Sequence, residues 1–262
     1  MRILFSIITC ALLACCAIQS PQAGPVGFRL SSGFKPSQIP GLQLWLDASQ
    51  ITGLNDGDAV TTWSDLSGNA NHATQATASK KPLYKTAIQN GLAGVLGDGV
   101  DDLLACPGTV VPTNSFTLYF VLKAASSGGG YSERALGNAD AGGLDGLALL
   151  SGPQTGQDYW VLRAGGGGPD ITMSGTIVFG TTYTYRLVMD TNTTAYVNNT
   201  SRGTSMRATL GVSGNPLQLF CDGAGVLCAN AYMFELLVYA GVHTPAQQTL
   251  VENYLNAKWA AY

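Results

Sequence analysis

The chain has 262 residues, of which only 11% are charged and 33 are glycine, and its formal net charge is −3. A disordered protein would be rich in charge and poor in apolar residues, whereas 46% of this chain is hydrophobic, so disorder is excluded. There is no lysine or arginine run, which excludes nucleic-acid binding through a basic face.

The first residues, MRILFSIITCALLACCAIQS, place Arg2 before an apolar run from Ile3 to Ala17, with small residues after it. This is the pattern of a secretory leader, and it is short for a membrane span. Leu12-Leu13-Ala14-Cys15 approximates a lipobox in which Cys15 would be the acylated residue, although Leu13 departs from that pattern. The alternative is a retained hydrophobic arm that docks into an assembly. Residues 1–20 are thus expected as leader or arm. Residues 21–38, with Pro, Gly and Ser, read as a linker, and 39–262 as one domain. All-β sandwiches of this length are often a single domain.

From Gly41 onward the alternation of apolar residues is clear. Leu42, Leu44 and Leu46 share one face. Phe116, Leu118, Phe120 and Leu122 share another, with Thr117, Tyr119, Val121 and Lys123 opposite. Tyr185, Leu187 and Met189 fall together, with Arg186 and Asp190 opposite. Further strands are predicted at Tyr159–Arg163, Thr172–Val178, Thr194–Asn198, Leu217–Cys221 and Asn230–Tyr239. Turn clusters at Ser126–Gly130, Gly165–Pro169, Asp190–Thr193 and Asn198–Gly203 separate them.

One helix is predicted at the end of the chain. Thr244 suits the N-cap, Pro245 the first helical position, and Gln247 completes a capping box. Leu250, Val251, Tyr254 and Leu255 give a helical stripe ending near Trp259, expected to cover a sheet edge or an end of a sandwich. There is no βαβ rhythm and no internal repeat. The expected fold is therefore all-β: a two-sheet antiparallel jelly-roll β-sandwich with a short C-terminal α-helix.

Cys221 and Cys228 flank a Gly-rich loop between two predicted strands, a spacing that a local disulfide can bridge. The alternative is two small apolar side chains. Cys106 has no evident partner, and no Cys/His spacing resembles a zinc site.

Three segments together resemble the laminin-G-like, concanavalin A-like lectin/glucanase jelly-roll family of bacterial surface and phage structural proteins. The first is GLQLWLDAS followed by WSDLSGNANHATQ. The second is the DGVDDLL turn at Asp98–Leu104, followed by SFTLYFVLK. The third is ANAYMFELLVYAGVHTPAQQTLVENYLNAKW. The resemblance spans about residues 38 to 260 and implies a sandwich of twelve or more strands. It implies no particular ligand, because this scaffold serves many functions.

Calcium is one candidate, since it takes six to eight oxygens from carboxylates and carbonyls on loops. Asp98, Asp101 and Asp102 in a Gly-rich turn are the first choice. Asn55, Asp56 and Asp58 form a second cluster, and Asp65 with Asn69 a third. Asp and Asn are also turn formers that cap their own backbone, and that reading competes at each cluster. Glycoside hydrolysis needs two carboxylates at a set separation. Enzymes of the resembling family carry Glu-x-Asp-x-x-Glu along a strand, but the three glutamates here, Glu133, Glu235 and Glu252, lack such spacing. Glu235 is expected to share a face with Met233 and Leu237 and to bond across strands.

The two histidines, His72 and His243, have no matched nucleophile or Gly-x-Ser-x-Gly elbow. Gly165–Gly168 lacks the lysine of a phosphate-binding loop. Sugar sites on sandwiches combine exposed aromatics with Asn and Asp on end loops. Tyr131, Asn138, Asp140, Tyr159 and Trp160 are the candidates, while Trp45 and Trp63 are assigned to the core. The expected protein is non-catalytic, needs no cofactor though calcium is possible, and is secreted or displayed at the cell surface. Its expected partner is a glycan or surface protein. The alternative is a virion structural protein, a capsid decoration or fibre component contacting capsid or fibre subunits.

Overall fold

The computed structural model describes residues 33–125, 133–138, 147–154, 157–164, 171–173, 178–205, 215–222 and 226–262. For 147–154, 157–164, 172–173 and 205 it describes the backbone only. Strands β1 (Leu42–Asp47), β2 (Thr62–Trp63), β3 (Ala73–Thr74), β4 (Leu83–Gln89), β5 (Leu92–Asp98) and β6 (Leu104–Cys106) come first. They are followed by β7 (Phe116–Ala124), β8 (Glu133–Gly137), β9 (Leu147–Gln154), β10 (Gln157–Ala164) and β11 (Ile171–Met173). The last are β12 (Thr182–Met189), β13 (Thr193–Val197), β14 (Thr200–Ser205), β15 (Leu217–Leu219) and β16 (Asn230–Ala240), and helix α1 (Pro245–Trp259) closes the chain.

The strands form two eight-stranded antiparallel sheets. The first runs β14-β13-β12-β7-β16-β5-β4, with β1 also paired to β16; the second runs β11-β10-β9-β8-β15-β6-β3-β2. This is the all-β two-sheet sandwich with one C-terminal helix that the alternating pattern predicts. Its inter-sheet core takes the inward side chains of alternating strands. Leu44, Leu46, Phe116, Leu118, Phe120, Tyr185, Leu187 and Met189 come from the first sheet, and Trp63, Leu104, Leu136, Leu217 and Leu219 from the second. Phe120 and Tyr185 stack at 4.6 Å between centroids, a geometry that adds to their area burial.

The helix lies elsewhere than expected. It covers the outer face of the first sheet, not an edge or an end. Val251, Leu255 and Trp259 pack there with Tyr119, Val121, Phe234, Leu237 and Tyr239 as a second core. Strands β7 and β16 are consequently buried on both faces, so their sequences read as near-continuous apolar runs. The helix begins as predicted, with the Thr244–Gln247 capping box and Pro245 in the first turn. Its stripe is rotated relative to expectation: Leu250 is exposed, whereas Glu252 is buried. Segment 34–38 also belongs to this layer. Phe34 packs edge-on against Tyr254, and the Tyr239 hydroxyl donates to the Pro36 carbonyl at 3.1 Å.

Strand β16 carries a bulge: Met233 pairs with Leu122 and Glu235 with Val121, leaving Phe234 as the extra residue. Met233 thus faces the inter-sheet core, while Glu235 and Leu237 turn toward the helix. This corrects the expectation that Met233, Glu235 and Leu237 share a face. On β5, Gly97 admits the Phe220 ring so closely that a Cβ would meet it at 2.7 Å. A side chain there would have to displace core packing.

Candidate functional site

The Asp98–Asp102 turn leaves β5 beside the start of β16, where Asp98 is opposite Asn230. Asp98 Oδ1 accepts the backbone N–H groups of Val100, Asp101 and Asp102, and Asp102 Oδ2 accepts the N–H of Asp98. Gly99, at φ +78°, provides the left-handed step that closes the turn against Asn230. Carboxylate oxygens of Asp98, Asp101 and Asp102 lie within 4.8 Å of one another. Asp102 is 5% exposed, and burial, reinforced by the Asp98 and Asp101 charges, pushes its carboxyl up to about 6.

The folded state thus favours protonated Asp102. Its share of stability is full below the unfolded carboxyl pKa near 4 and is lost as pH rises through 6. Asp102→Asn keeps an acceptor for the Asp98 N–H and removes the repulsion. It is expected to stabilise the protein by on the order of 1–2 kcal/mol at pH 7 and by almost nothing at pH 4. Urea denaturation at the two pH values measures both.

The other acidic clusters serve the turns. Asp65 accepts from the N–H groups of Trp45, Ser67 and Asn71 and from the Ser67 hydroxyl, while its own N–H donates to His72 Nδ1. Asn69 donates to the carbonyls of Leu42 and Gln43. Asp56 pairs with Lys85 at 2.7 Å, which together with the Thr86 N–H holds its carboxyl below the usual range. Asp58 accepts from the Asn55 N–H.

Of the sugar-site candidates, Asn138 is buried just after β8. Tyr159 and Trp160 lie on β10, where Tyr159 is opposite Gly152 and Trp160 opposite Ser151, and only their backbone is described. Tyr131, Asp140, Cys15 and Gly165–Gly168 lie outside the described residues. The Cys221 and Cys228 sulfurs are bonded, whereas Cys106 is free and buried.

The remaining glutamates sit in buried polar networks that sequence spacing did not reveal. Glu235, fully buried, accepts at Oε1 from Trp45 Nε1 (2.8 Å) and the Tyr254 hydroxyl (2.7 Å). At Oε2 it accepts from Lys258 Nζ (2.9 Å) and Trp259 Nε1 (2.7 Å). Lys258 also pairs with Asp47. Burial pushes the Glu235 carboxyl up, and Lys258 pulls it back. The one available sequence signal was Tyr254 and Lys258 at i, i+4 on the helix.

Beside this network, Glu252 pairs with Arg186 at 2.6 Å, both side chains being nearly inaccessible, and the guanidinium stacks on Tyr196. His243 meets the Tyr119 hydroxyl at 3.0 Å. Burial, with Arg186 nearby, holds its imidazole down at about 4, so it is neutral at pH 7. Glu133 is buried on β8 in the second sheet.

A small cleft opens where β1 passes into the Ala48–Gln50 turn and faces β2. Asp47, Gln50, Ile51, Thr52, Thr62, Trp63, Ser64 and Leu66 line it. The Trp63 indole Nε1 is buried and has no hydrogen-bond partner among the described residues.

The two packed antiparallel sheets define a β-sandwich, and solved structures share that fold. Domain 4 of a GH43 extracellular arabinanase from Geobacillus stearothermophilus, solved with arabinotriose, is similar over 80% of this chain and 97% of that one. Its TM-score is 0.57 and its identity 16%. Trypanosoma rangeli sialidase in complex with sialic acid gives a TM-score of 0.59 at 15% identity, over 84% of this chain. A GH54 α-L-arabinofuranosidase soaked with 4-nitrophenyl α-L-arabinofuranoside gives 0.58 at 15% identity, over 77% of this chain. The chain spans 33% of the sialidase and 51% of the arabinofuranosidase. No family model and no curated protein sequence matches it.

These neighbours correct two expectations. The residues alone point to a non-catalytic adhesion domain or virion component, and not to an enzyme. Structures that share its fold instead include glycoside hydrolases and a domain of one. The Glu-x-Asp-x-x-Glu run marks only one kind of hydrolase, so its absence from the sequence does not decide the question for a fold that hosts many functions.

Proposed function

We propose that this chain is a glycan-processing protein whose laminin-G-like, concanavalin A-like sandwich engages neutral oligosaccharides. One observation carries the reading: the likeness extends over nearly the whole of an arabinanase domain that was solved with arabinotriose. The second sheet is the face on which the oligosaccharide would run, because the helix already occupies the outer face of the first. On that sheet Glu133 of β8 is in register, through Ser151 of β9, with Trp160 of β10, beside Tyr159; Asn138 directly follows β8. Carboxylates and amides suit sugar hydroxyls, and aromatic rings suit the C–H face of a sugar ring. A pair of carboxylates about 5–10 Å apart across the bound glycosidic bond is the arrangement hydrolysis would need.

Calcium is part of the proposal. Three carboxylates close together, one of them desolvated, suit a hard divalent cation with oxygen ligands. Asp98, Asp101 and Asp102 would hold it and brace the turn at one end of the sandwich. The leader read in residues 1–20, with Cys15 as its lipidation point, would place such a protein outside the cell or on its surface.

The test is an oligosaccharide array that includes arabino-oligosaccharides and sialylated glycans, read for both retention and released sugar, with calcium and with chelator. The expected result is retention or cleavage of at least one neutral glycan class. If no neutral glycan is retained or cleaved in either condition, the reading fails.

A further inference from the structure

Helix α1 leaves one end of the first sheet's outer face open. Its last turn reaches Phe234, whose ring packs with Trp259 at 5.3 Å between centroids. Beyond Phe234, Lys123 on β7 is in register with Tyr232 on β16, Tyr232 with Leu96 on β5, and Leu96 with Leu83 on β4. Directly opposed residues share a face. The four side chains therefore form one row across four strands, about 14 Å long at the usual strand spacing. Lys123, Tyr232 and Leu96 are half-buried and Leu83 is exposed. The row is cationic at one end and apolar along the rest.

The Lys123 ammonium donates to the Ile88 carbonyl at 3.1 Å and sits 5.2 Å from the centre of the Tyr232 ring and 5.7 Å from that of Phe234. That uses one of its three donors, and no carboxylate among the described residues pairs with it. The other buried or half-buried cations on the strands of this sheet and on its helix each have one: Lys85 has Asp56, Arg186 has Glu252, and Lys258 has Asp47 and Glu235. Burial accordingly lowers the Lys123 ammonium from the ordinary lysine value. Tyr232 is held in place as well. Its ring lies within 9° of parallel to the fully buried Phe234 ring, 6.3 Å away. A side chain fixed in this way loses little freedom on taking up a ligand.

An ammonium short of an anion suits a carboxylate, and the apolar row beside it suits a flat C–H surface. A hexuronic acid residue carries both: one carboxylate at the edge of its ring and C–H groups across the ring's face. A single cation does not suit a partner with many negative charges. We infer that this strip is a subsite for one uronic acid residue of an acidic oligosaccharide, its carboxylate accepting from Lys123 and its ring lying over Tyr232 and Leu96. The inference rests on the glycan reading above and extends it from neutral to acidic sugars. The strip belongs to the first sheet, so it acts separately from the face of the second.

The test is a calorimetric titration of the full-length protein with trigalacturonate and with its methyl ester, which keeps the rings and removes the charge. The expected result is saturable binding of the acid and binding of the ester weaker by roughly tenfold, the scale of one charge-assisted hydrogen bond. Lys123→Met keeps an aliphatic stem on the strip. It should weaken trigalacturonate binding to the same extent and leave retention of neutral glycans unchanged. Should Lys123→Met not fold, the ester comparison and a loss of affinity with added salt carry the test. If neutral glycans are retained and trigalacturonate is not bound, the strip is wrong and the glycan reading stands. Equal binding of acid and ester, or of trigalacturonate by wild type and Lys123→Met, also overturns the strip. If neither trigalacturonate nor any neutral glycan binds, both fall together.

Discussion

Replacing Glu235 by alanine is expected to remove most of the protein's stability. One fully buried carboxylate holds four donors: Trp45 on β1, and Tyr254, Lys258 and Trp259 on the helix. It therefore ties the helix to the sheet at three points and to β1 at a fourth. Deleting it leaves the Lys258 ammonium without one of its two carboxylates and three neutral donors without an acceptor. Breaking a buried pair from one side costs about 3–5 kcal/mol, and orphaned donors add to this at roughly 1–3 kcal/mol each. The expectation is therefore a loss of at least about 4 kcal/mol, a large share of what a domain has.

If Glu235→Ala does not fold, Glu235→Gln provides the measurement. Its single carbonyl oxygen can serve half the donors, and its amide N–H₂ confronts the rest. A loss of roughly 2–3 kcal/mol in urea unfolding is expected for it. A loss under about 0.5 kcal/mol would show that the helix is held by apolar packing alone.

The Arg186–Glu252 pair should behave differently in single and double variants. Arg186→Met strands a buried carboxylate, and Glu252→Gln strands a buried guanidinium; each is expected to cost about 3–5 kcal/mol. Arg186→Met combined with Glu252→Gln strands no charge, so it should be less destabilised than the sum of the singles by at least about 2 kcal/mol. The stacking of Arg186 on Tyr196 will be lost wherever Arg186 is replaced, so full recovery is not expected. Simple additivity in the thermodynamic cycle would mean that the two charges are solvated and uncoupled.

Much of the scaffold was legible in the sequence because its determinants are local. Alternation in Phe116–Leu122 and Tyr185–Met189 marks the inter-sheet faces, and Thr244, Pro245 and Gln247 mark the helix start. What was not legible depends on tertiary placement. The β16 bulge inserts Phe234 and reverses the face of Glu235 relative to Met233, and nothing in AYMFELL signals one extra residue. Tyr119 and Val121 fall on the face opposite Phe116–Leu122 with no predicted partner for it, and helix α1 makes that face a second core. Glu252 lies outside the predicted helical stripe, and its partner, Arg186, lies far away in sequence on β12.

At the candidate sites, the acidic turn was legible because Asp98, Asp101 and Asp102 are neighbours in sequence. The cleft was not, because Asp47 and Trp63 meet only through the folding of β1 against β2. Trp63 was assigned to the core, and it is there; that its indole N–H has no partner among the described residues depends on tertiary surroundings that no local pattern carries.

The most direct test of glycan engagement is a calorimetric titration of the full-length protein with arabinotriose, accompanied by the glycans that the array retains. Saturable heat of binding is predicted for at least one neutral oligosaccharide. Heats indistinguishable from dilution for every glycan, from a protein shown to be folded by its cooperative unfolding, would contradict it.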